Sequence, residues 1–191
     1  MVALLSGSAV FIADEIAIQI SIDERLLQDG DVILRRGTDV VSRAILTSDT
    51  GSNYSHVGLI MMQHNQAYVL HAIPAEAVGE GDKVKVEPLA VFISPSRSLA
   101  VAVLRLKNNA KARGKLAVDY AQSRIGAPFD FSFDGKDENN LYCTELVWRA
   151  YEAAGVQIVN ATRLISVPML ASNVVPPSAI YKTATFQEIK L

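Results

Sequence analysis

Ser55-His56-Val57-Gly58-Leu59-Ile60-Met61, followed by His64-Asn65-Gln66 and then Ala67-Tyr68-Val69-Leu70-His71-Ala72-Ile73, is the stretch that decides how this chain folds. Two runs rich in Val, Ile, Leu and Tyr, separated by a short polar segment, read as an antiparallel β-hairpin. Adjacent antiparallel strands run in opposite directions, so the start of the first lies beside the end of the second. His56 opens the first strand and His71 comes near the end of the second. A turn centred near Asn65 therefore brings both to one end of a sheet. The face each occupies depends on the turn geometry, which the sequence leaves open.

On the N-terminal side, Ile22 to Leu27 reads as a helical turn, and Gly30-Asp31 leads into a strand, Val32-Ile33-Leu34-Arg35. Asp39 is placed to cap a short helix carrying Val40, Val41, Ile45 and Leu46, with a polar loop from Thr47 to Asn53 behind it. On the C-terminal side, Lys83 to Pro88 alternates Val84 and Val86 with charges as a third strand, and Leu99 to Leu106 is a fourth, apolar enough to be central. Asn109 to Ser123 reads as a helix burying Leu116, Ala117, Tyr120 and Ala121. Beyond Gly155 the pattern weakens, and Pro168, Pro176 and Pro177 break up the tail. Helices at both ends around a block of strands predict an α+β fold with a mostly antiparallel sheet.

Asn140-Leu141-Tyr142-Cys143-Thr144-Glu145-Leu146 holds the chain's only cysteine, where a helix begins. Leu146, Val147, Ala150, Tyr151 and Ala154 repeat at helical spacing, and Gly155 stops the run. A thiol in the first turn of a helix sits among unpaired N–H groups and the positive end of the dipole, which stabilise a thiolate and also an oxyanion. A free cysteine on an apolar stripe is, equally, a common packing residue. Reactivity needs a base, and His56 and His71 are the residues that could supply and orient one. Glu145, two residues on, points to a different helical face and is expected on the surface or in a cap.

The bulk numbers narrow the classes. A chain of 191 residues, half of them hydrophobic, is long and apolar enough for one globular domain with a sizeable core. A net charge of -2 gives no electrostatic reason to expect a nucleic-acid partner. One cysteine rules out a disulfide framework within the chain. Met1 to Ala13 is apolar, yet the first positive side chain is Arg25, so a secretory leader lacks its basic region, and the run is too short for a membrane span. It is expected to dock as a strand or helix. A cytoplasmic location is favoured, with an envelope association open if the N-terminus is trimmed.

Three histidines and one cysteine show no short metal-ligand spacing, and no cofactor is expected. Asp130-Phe131-Ser132-Phe133-Asp134-Gly135 resembles the start of a calcium loop, but its twelfth position is Leu141 where a bidentate Glu is required. Its phenylalanines suit a substrate wall better. There is no Gly-rich phosphate loop and no nucleophile-elbow serine.

With these residues assembled, the chain resembles the circularly permuted branch of the NlpC/p60 papain-like superfamily, the YaeF/YiiX-like amidases, and more distantly lecithin:retinol acyltransferase. The matching pieces are Gly30-Asp31-Val32-Ile33-Leu34-Arg35-Arg36-Gly37, Tyr54-Ser55-His56-Val57-Gly58-Leu59 and Val69-Leu70-His71-Ala72, then Gly126-Ala127-Pro128-Phe129-Asp130 and Tyr142-Cys143-Thr144-Glu145-Leu146-Val147. They run in order from about residue 28 to 155, within a single domain expected over 1–191.

The resemblance implies a small antiparallel sheet or partial barrel packed on the nucleophile helix, with the histidine strand preceding the cysteine as permutation requires. It implies Cys143 as nucleophile, His56 as base and His71 as the group that orients it. The segment from Gly37 to Asn53 and the Phe-bearing loop would line the cleft, with Tyr54, Phe129, Phe131 and Tyr142 contacting substrate. YiiX-like members usually carry Glu where this chain has His71, which looks more like the acyltransferase side. The expected activity is a cysteine amidase or peptidase acting on a small amide such as a cell-wall peptide. A lipid-directed acyl hydrolase or acyltransferase is the alternative, and a non-catalytic binding module that keeps the cleft is a third reading. The expected partner is a peptide, lipid or other small-molecule substrate.

Overall fold

The computed structural model describes residues 19–75, 79, 81–133, 135, 137, 139–159, 164–166 and 173–191. The apolar run at 1–13, Asp134 and Pro168 lie outside the described residues. A 3-10 turn at Glu24–Leu26, capped by Asp23, leads through Gly30 into β1 (Val32–Gly37). Gly30 has φ +82° and lies against the backbone of Gly114, where any Cβ would collide. Then come α1 (Val40–Ser48), β2 (His56–Gln63), β3 (Gln66–Ile73), β4 (Lys83–Pro88), α2 (Leu89–Phe92) and β5 (Ser98–Leu106). The chain continues through α3 (Ala110–Ser123), α4 (Cys143–Ala153), β6 (Ile165–Ser166), β7 (Asn173–Val174), α5 (Pro177–Tyr181) and β8 (Phe186–Ile189).

Six strands form one antiparallel sheet in the order β4-β3-β2-β1-β5-β8, while β6 and β7 make a separate pair. The sheet is unclosed, with β4 and β8 at its edges, so of the two expected forms the open sheet is the one found. The fold is α+β, as the block of strands between helices implied. Its central hairpin turns on His64 and Asn65, with φ of 51° and 63°. Both are left-handed, as a two-residue hairpin loop matched to strand twist requires.

Strand alternation gives the sheet two buried faces. Val32, Leu34, Val57, Leu59 and Leu70 join Ala117, Ala121, Leu146 and Val147 of α3 and α4 in one core. Ile33, Ile60, Val69 and Val103 pack on Leu89 and Phe92 of α2 in the other. Leu146, Val147, Ala150 and Tyr151 of α4 are almost fully buried, and burial of the Leu146 and Val147 side chains contributes about 1.5–3 kcal/mol each. That seam fixes where the helix starts, and hence where Cys143 stands.

Two expectations differ. In α3 the buried face is Gly114, Ala117, Val118 and Ala121, while Leu116 is 49% exposed. The close approach of Gly114 to the turn at Asp29 and Gly30 sets the rotation of the helix and turns Leu116 outward. The tail beyond Gly155 also carries more order than its prolines suggested. Ser178 N–H donates to Asp49 Oδ2 at 2.9 Å, and Val103↔Ile189 to Leu106↔Phe186 pairing adds β8 to the sheet.

Candidate active site

The hairpin register sets the histidines. Leu59 pairs with Leu70, so continuing one residue places His71 opposite Gly58. His56 is two residues from Gly58 and therefore on the same face. A Cβ at Gly58 would come within 2.6 Å of Val69 Cγ1 and 3.1 Å of His71 Cβ, so only glycine lets His71 lean toward His56. His56 Nε2 and His71 Nδ1 are 2.8 Å apart, their rings edge to face with centroids at 5.1 Å. Both residues are buried.

Phe92 of α2 lies against both rings, at 5.7 Å from His56 and 5.2 Å from His71. Arg35, the β1 partner of His56, is also buried. Its guanidinium lies 4.6 Å from the Phe92 ring centre and donates to Phe92 O at 3.0 Å. Burial, then Arg35, His71 and Lys85, hold the His56 imidazole well below its ordinary 6.5. Burial also lowers His71, with Glu87 acting in the opposite sense.

Glu87 completes the cluster. On β4, Lys85 pairs with His71 and Glu87 with Val69, which puts Lys85, Glu87 and His71 on one face. Glu87 Oε1 faces His71 Nε2 at 3.2 Å, and Oε2 faces Lys85 Nζ at 3.2 Å and Arg97 Nη1 at 3.0 Å. Burial raises the Glu87 carboxyl, but His71 and Lys85 more than offset that and bring it down to about 2. The sequence shows this strand as Val84 and Val86 alternating with charges. In fact Val86 is 38% exposed and Glu87 is buried. The overlooked signal was that every charge of Lys83, Lys85 and Glu87 shares one face. Arg35, in the Gly30–Gly37 segment, reaches the cluster only through the β1–β2 pairing that sets it beside His56.

Cys143 is the first residue of α4, behind Tyr142, which caps the helix with no side-chain hydrogen bond. The thiol is half-buried and free. Burial pushes it up to about 11, against the N–H groups of Val57, Thr144 and Cys143 itself and the charge of Arg35, all of which favour the thiolate. The helix terminus favours a thiolate, but burial outweighs it and shifts the sulfur toward the thiol form. The Val57 N–H that approaches the sulfur follows His56 in sequence, which brings Cys143 to the start of β2.

A cavity of about 620 Å³ opens over this point, and both Cys143 and His56 line it. Thr38 to Ser42 and Ile45 of α1 and its approach form one wall, and Phe129, Phe133 and Tyr142 form another. The tail closes it: Thr144 Oγ1 donates to Val175 O at 2.6 Å, and Val175 N–H donates to the Tyr142 hydroxyl at 3.4 Å. Of the four expected contact residues, Phe129 and Tyr142 are on the wall, whereas Tyr54 and Phe131 are not. Tyr54 packs on Tyr181 with ring centres 5.2 Å apart, and Phe131 is 57% exposed and stacks edge-on against the outer side of Phe129.

Glu145 is fully buried rather than on the surface or in a cap as expected, and it pairs with Arg149 one helical turn on at 2.7 Å. Arg149 also donates to Gly135 O at 2.9 Å, so the pair ties the loop before Cys143 to α4. A carboxylate beside its own i+4 arginine is compensated enough to be buried. Among the described residues, no group of three or more His, Cys, Asp or Glu side chains could hold a metal ion. None of the described helices is long and apolar enough to cross a membrane.

Comparison with known proteins follows the same lines. A family model described as a permuted papain-like amidase enzyme, YaeF/YiiX, C92 family, matches residues 26–185. The uncharacterized protein YiiX of Escherichia coli K12 is 32% identical over 140 residues, covering 72% of this chain and 64% of that protein. The chain thus spans less than two thirds of the length of that relative. The crystal structure of metalloprotein yiiX from Escherichia coli O157:H7 superposes with a TM-score of 0.69 at 24% identity, covering 85% of this chain and 96% of the other.

Proposed function

The chain belongs to the permuted papain-like amidase family of the YaeF/YiiX type, and on that premise we propose that it is a cysteine hydrolase with Cys143 as nucleophile, His56 as general base and His71 as the residue that orients His56. The observation that carries the reading is the 2.8 Å His56–His71 pair at the edge of a cavity that Cys143 also lines. Three requirements of nucleophilic catalysis meet there: a nucleophile, a neutral base and an orienting group.

His56 takes the thiol proton as Sγ attacks the substrate carbonyl carbon. The N–H groups of Cys143 and Thr144, which have no intrahelical partner at the start of α4 and face the sulfur, would hold the oxyanion. Collapse breaks the C–N bond, and His56 passes its proton to the departing amine, leaving a thioester on Cys143. Water, deprotonated by His56, then attacks the thioester, and the thiolate leaves with the proton returned from His56. A thiol held near 11 and an imidazole held well below 6.5 rest as a neutral pair, so proton transfer accompanies attack.

For the substrate, we favour a small amide, with cell-wall peptides as one class. The walls favour a second class. Val40, Val41, Ile45, Phe129, Phe133 and Val175 make the cavity largely apolar, which suits an acyl chain and supports a lipid-directed hydrolase or acyltransferase. A panel of peptide amides and N-acyl amines of rising chain length, followed by mass spectrometry with an added amine acceptor, separates them. Free acid from peptides supports the amidase, and acyl transfer to the amine supports the alternative. Full turnover by Cys143→Ala would refute both. The relative with a solved structure is described as a metalloprotein. Among the described residues no group of three or more His, Cys, Asp or Glu side chains could hold a metal ion, and the ring nitrogens of His71 face His56 and Glu87.

A further inference from the structure

We propose that Glu87 is a positioning residue that acts through His71 to keep the lone pair of His56 on Nδ1, the nitrogen left to face the thiol. The inference rests on the catalytic roles proposed above for Cys143 and His56. Its geometric core is a pair of buried atoms. His71 Nε2 and Glu87 Oε1 face each other at 3.2 Å as an ion-pair contact, and neither buried atom makes a hydrogen bond of regular geometry. An ionised carboxylate only accepts hydrogen bonds, so the nitrogen that faces it carries the hydrogen. A neutral imidazole has one N–H. His71 Nδ1 is then bare, and at 2.8 Å it accepts from His56 Nε2. With its hydrogen on Nε2, His56 keeps a free lone pair on Nδ1. A carboxylate on β4 thereby fixes the tautomer of a base on β2 through one intervening ring.

The groups around His71 support this order. Arg35 approaches from β1, His56 from β2, Lys85 and Glu87 from β4, and Arg97 from the segment after α2. Among these described groups Glu87 is the anion that faces His71. Lys85 and Arg97 both hold Oε2, which turns Oε1 toward His71. Burial keeps both rings neutral, and the carboxyl, brought down to about 2, stays ionised.

The same two cations make Glu87→Gln a sharp test. The amide oxygen stays with Lys85 and Arg97, and the amide nitrogen turns to His71. A donor facing His71 Nε2 puts the hydrogen on Nδ1, which forces His56 to accept on Nε2 and to carry its own hydrogen on Nδ1. The base then has no lone pair for the thiol. In a serine-protease triad, the equivalent carboxylate-to-amide exchange costs about 10⁴ in turnover through the wrong tautomer.

The experiment is ring-nitrogen NMR of the histidines in wild type, Glu87→Gln and Glu87→Asp, with the iodoacetamide alkylation rate of Cys143 at neutral pH for each. Wild type is expected to show Nε2–H on both rings. Glu87→Gln is expected to show Nδ1–H on both, with alkylation about 100-fold slower, and Glu87→Asp to recover the wild-type tautomers and most of the rate. A role limited to neutralising Lys85 and Arg97 predicts unchanged tautomers in Glu87→Gln, and that result overturns the proposal. So does Nδ1–H on His71 in wild type, a measurement that stands even if Glu87→Gln fails to fold. If the tautomers invert while alkylation is slow and identical in wild type and His56→Ala, the control by Glu87 stands and the catalytic reading of Cys143 fails.

Discussion

His56 Nε2 stands 2.8 Å from His71 Nδ1 because a two-residue turn, His64-Asn65, fixes the register of the hairpin that carries them. A turn one residue longer would move His71 to the opposite face of the sheet. The contact between the two rings is thus a consequence of the turn, and the packing of Phe92 on both then locks their orientation.

The neutral resting pair has a kinetic signature. Between the depressed His56 value and about 11, the alkylation rate of Cys143 by iodoacetamide should be nearly independent of pH, since base and thiol are both in the required form. Thiolate ultraviolet absorbance should be absent across that plateau. In His56→Ala the rate should fall at least about 100-fold at neutral pH and rise about tenfold per pH unit toward the thiol value. Thiolate absorbance on the wild-type plateau would instead mean a preformed ion pair.

Gly58 should tolerate no side chain. In Gly58→Ala the new Cβ meets Val69 Cγ1 at 2.6 Å and Leu70 O at 2.9 Å, and the backbone atom cannot give way without parting β2 from β3. Overpacking of this kind costs about 1–3 kcal/mol. The expected result is a lower denaturation midpoint together with a Cys143 alkylation rate reduced toward that of His56→Ala. Retention of both would show that the hairpin can shift without displacing His71.

Acid should weaken the fold from an unusually high pH. His56 and His71 are neutral in the fold, and the unfolded chain protonates them near 6.5. Below that value the unfolded state binds more protons, so stability falls as pH falls until each folded value is passed. Glu87 acts in the same direction between 4.5 and about 2. Asp31 and Glu145, whose carboxyls burial raises, act in the opposite sense above their ordinary range. The histidine part is therefore read as a difference: Tm of His71→Gln should fall less steeply than wild type just below pH 6.5. Parallel curves would mean His71 is not buried in neutral form.

The legible parts of the molecule were those set by local pattern. Hydrophobic runs and a polar turn gave β2 and β3, Asp39 marked the start of α1, and apolar spacing ending at Gly155 gave α4. The illegible parts depend on contacts between distant segments. Glu87 joins His71 only through the β3–β4 register, which no short-range signal encodes. β8 is four residues long and exists because β5 offers an open edge. Leu116 is more apolar than Gly114, yet the helix turns on the glycine because only there can the turn at Gly30 approach its backbone. Tyr54 and Phe131 share motifs with wall residues but point to Tyr181 and to solvent.

Glu145 and Arg149 offer the last test, one of support rather than chemistry. The carboxylate is fully buried and raised by burial against the pull of Arg149, whose side chain is 16% exposed. Removing one partner of a buried pair leaves an uncompensated charge, so Arg149→Met should destabilise the protein by about 3–5 kcal/mol. The double variant Glu145→Gln with Arg149→Met removes that charge and should recover much of the loss. The damage from Arg149→Met should also shrink as pH falls and Glu145 protonates. Chemical denaturation of the four proteins of this cycle, at neutral and mildly acid pH, measures all three effects. Additive losses would mean that Glu145 is held by its surroundings rather than by Arg149, and that the loop at Gly135 is anchored to α4 by another contact.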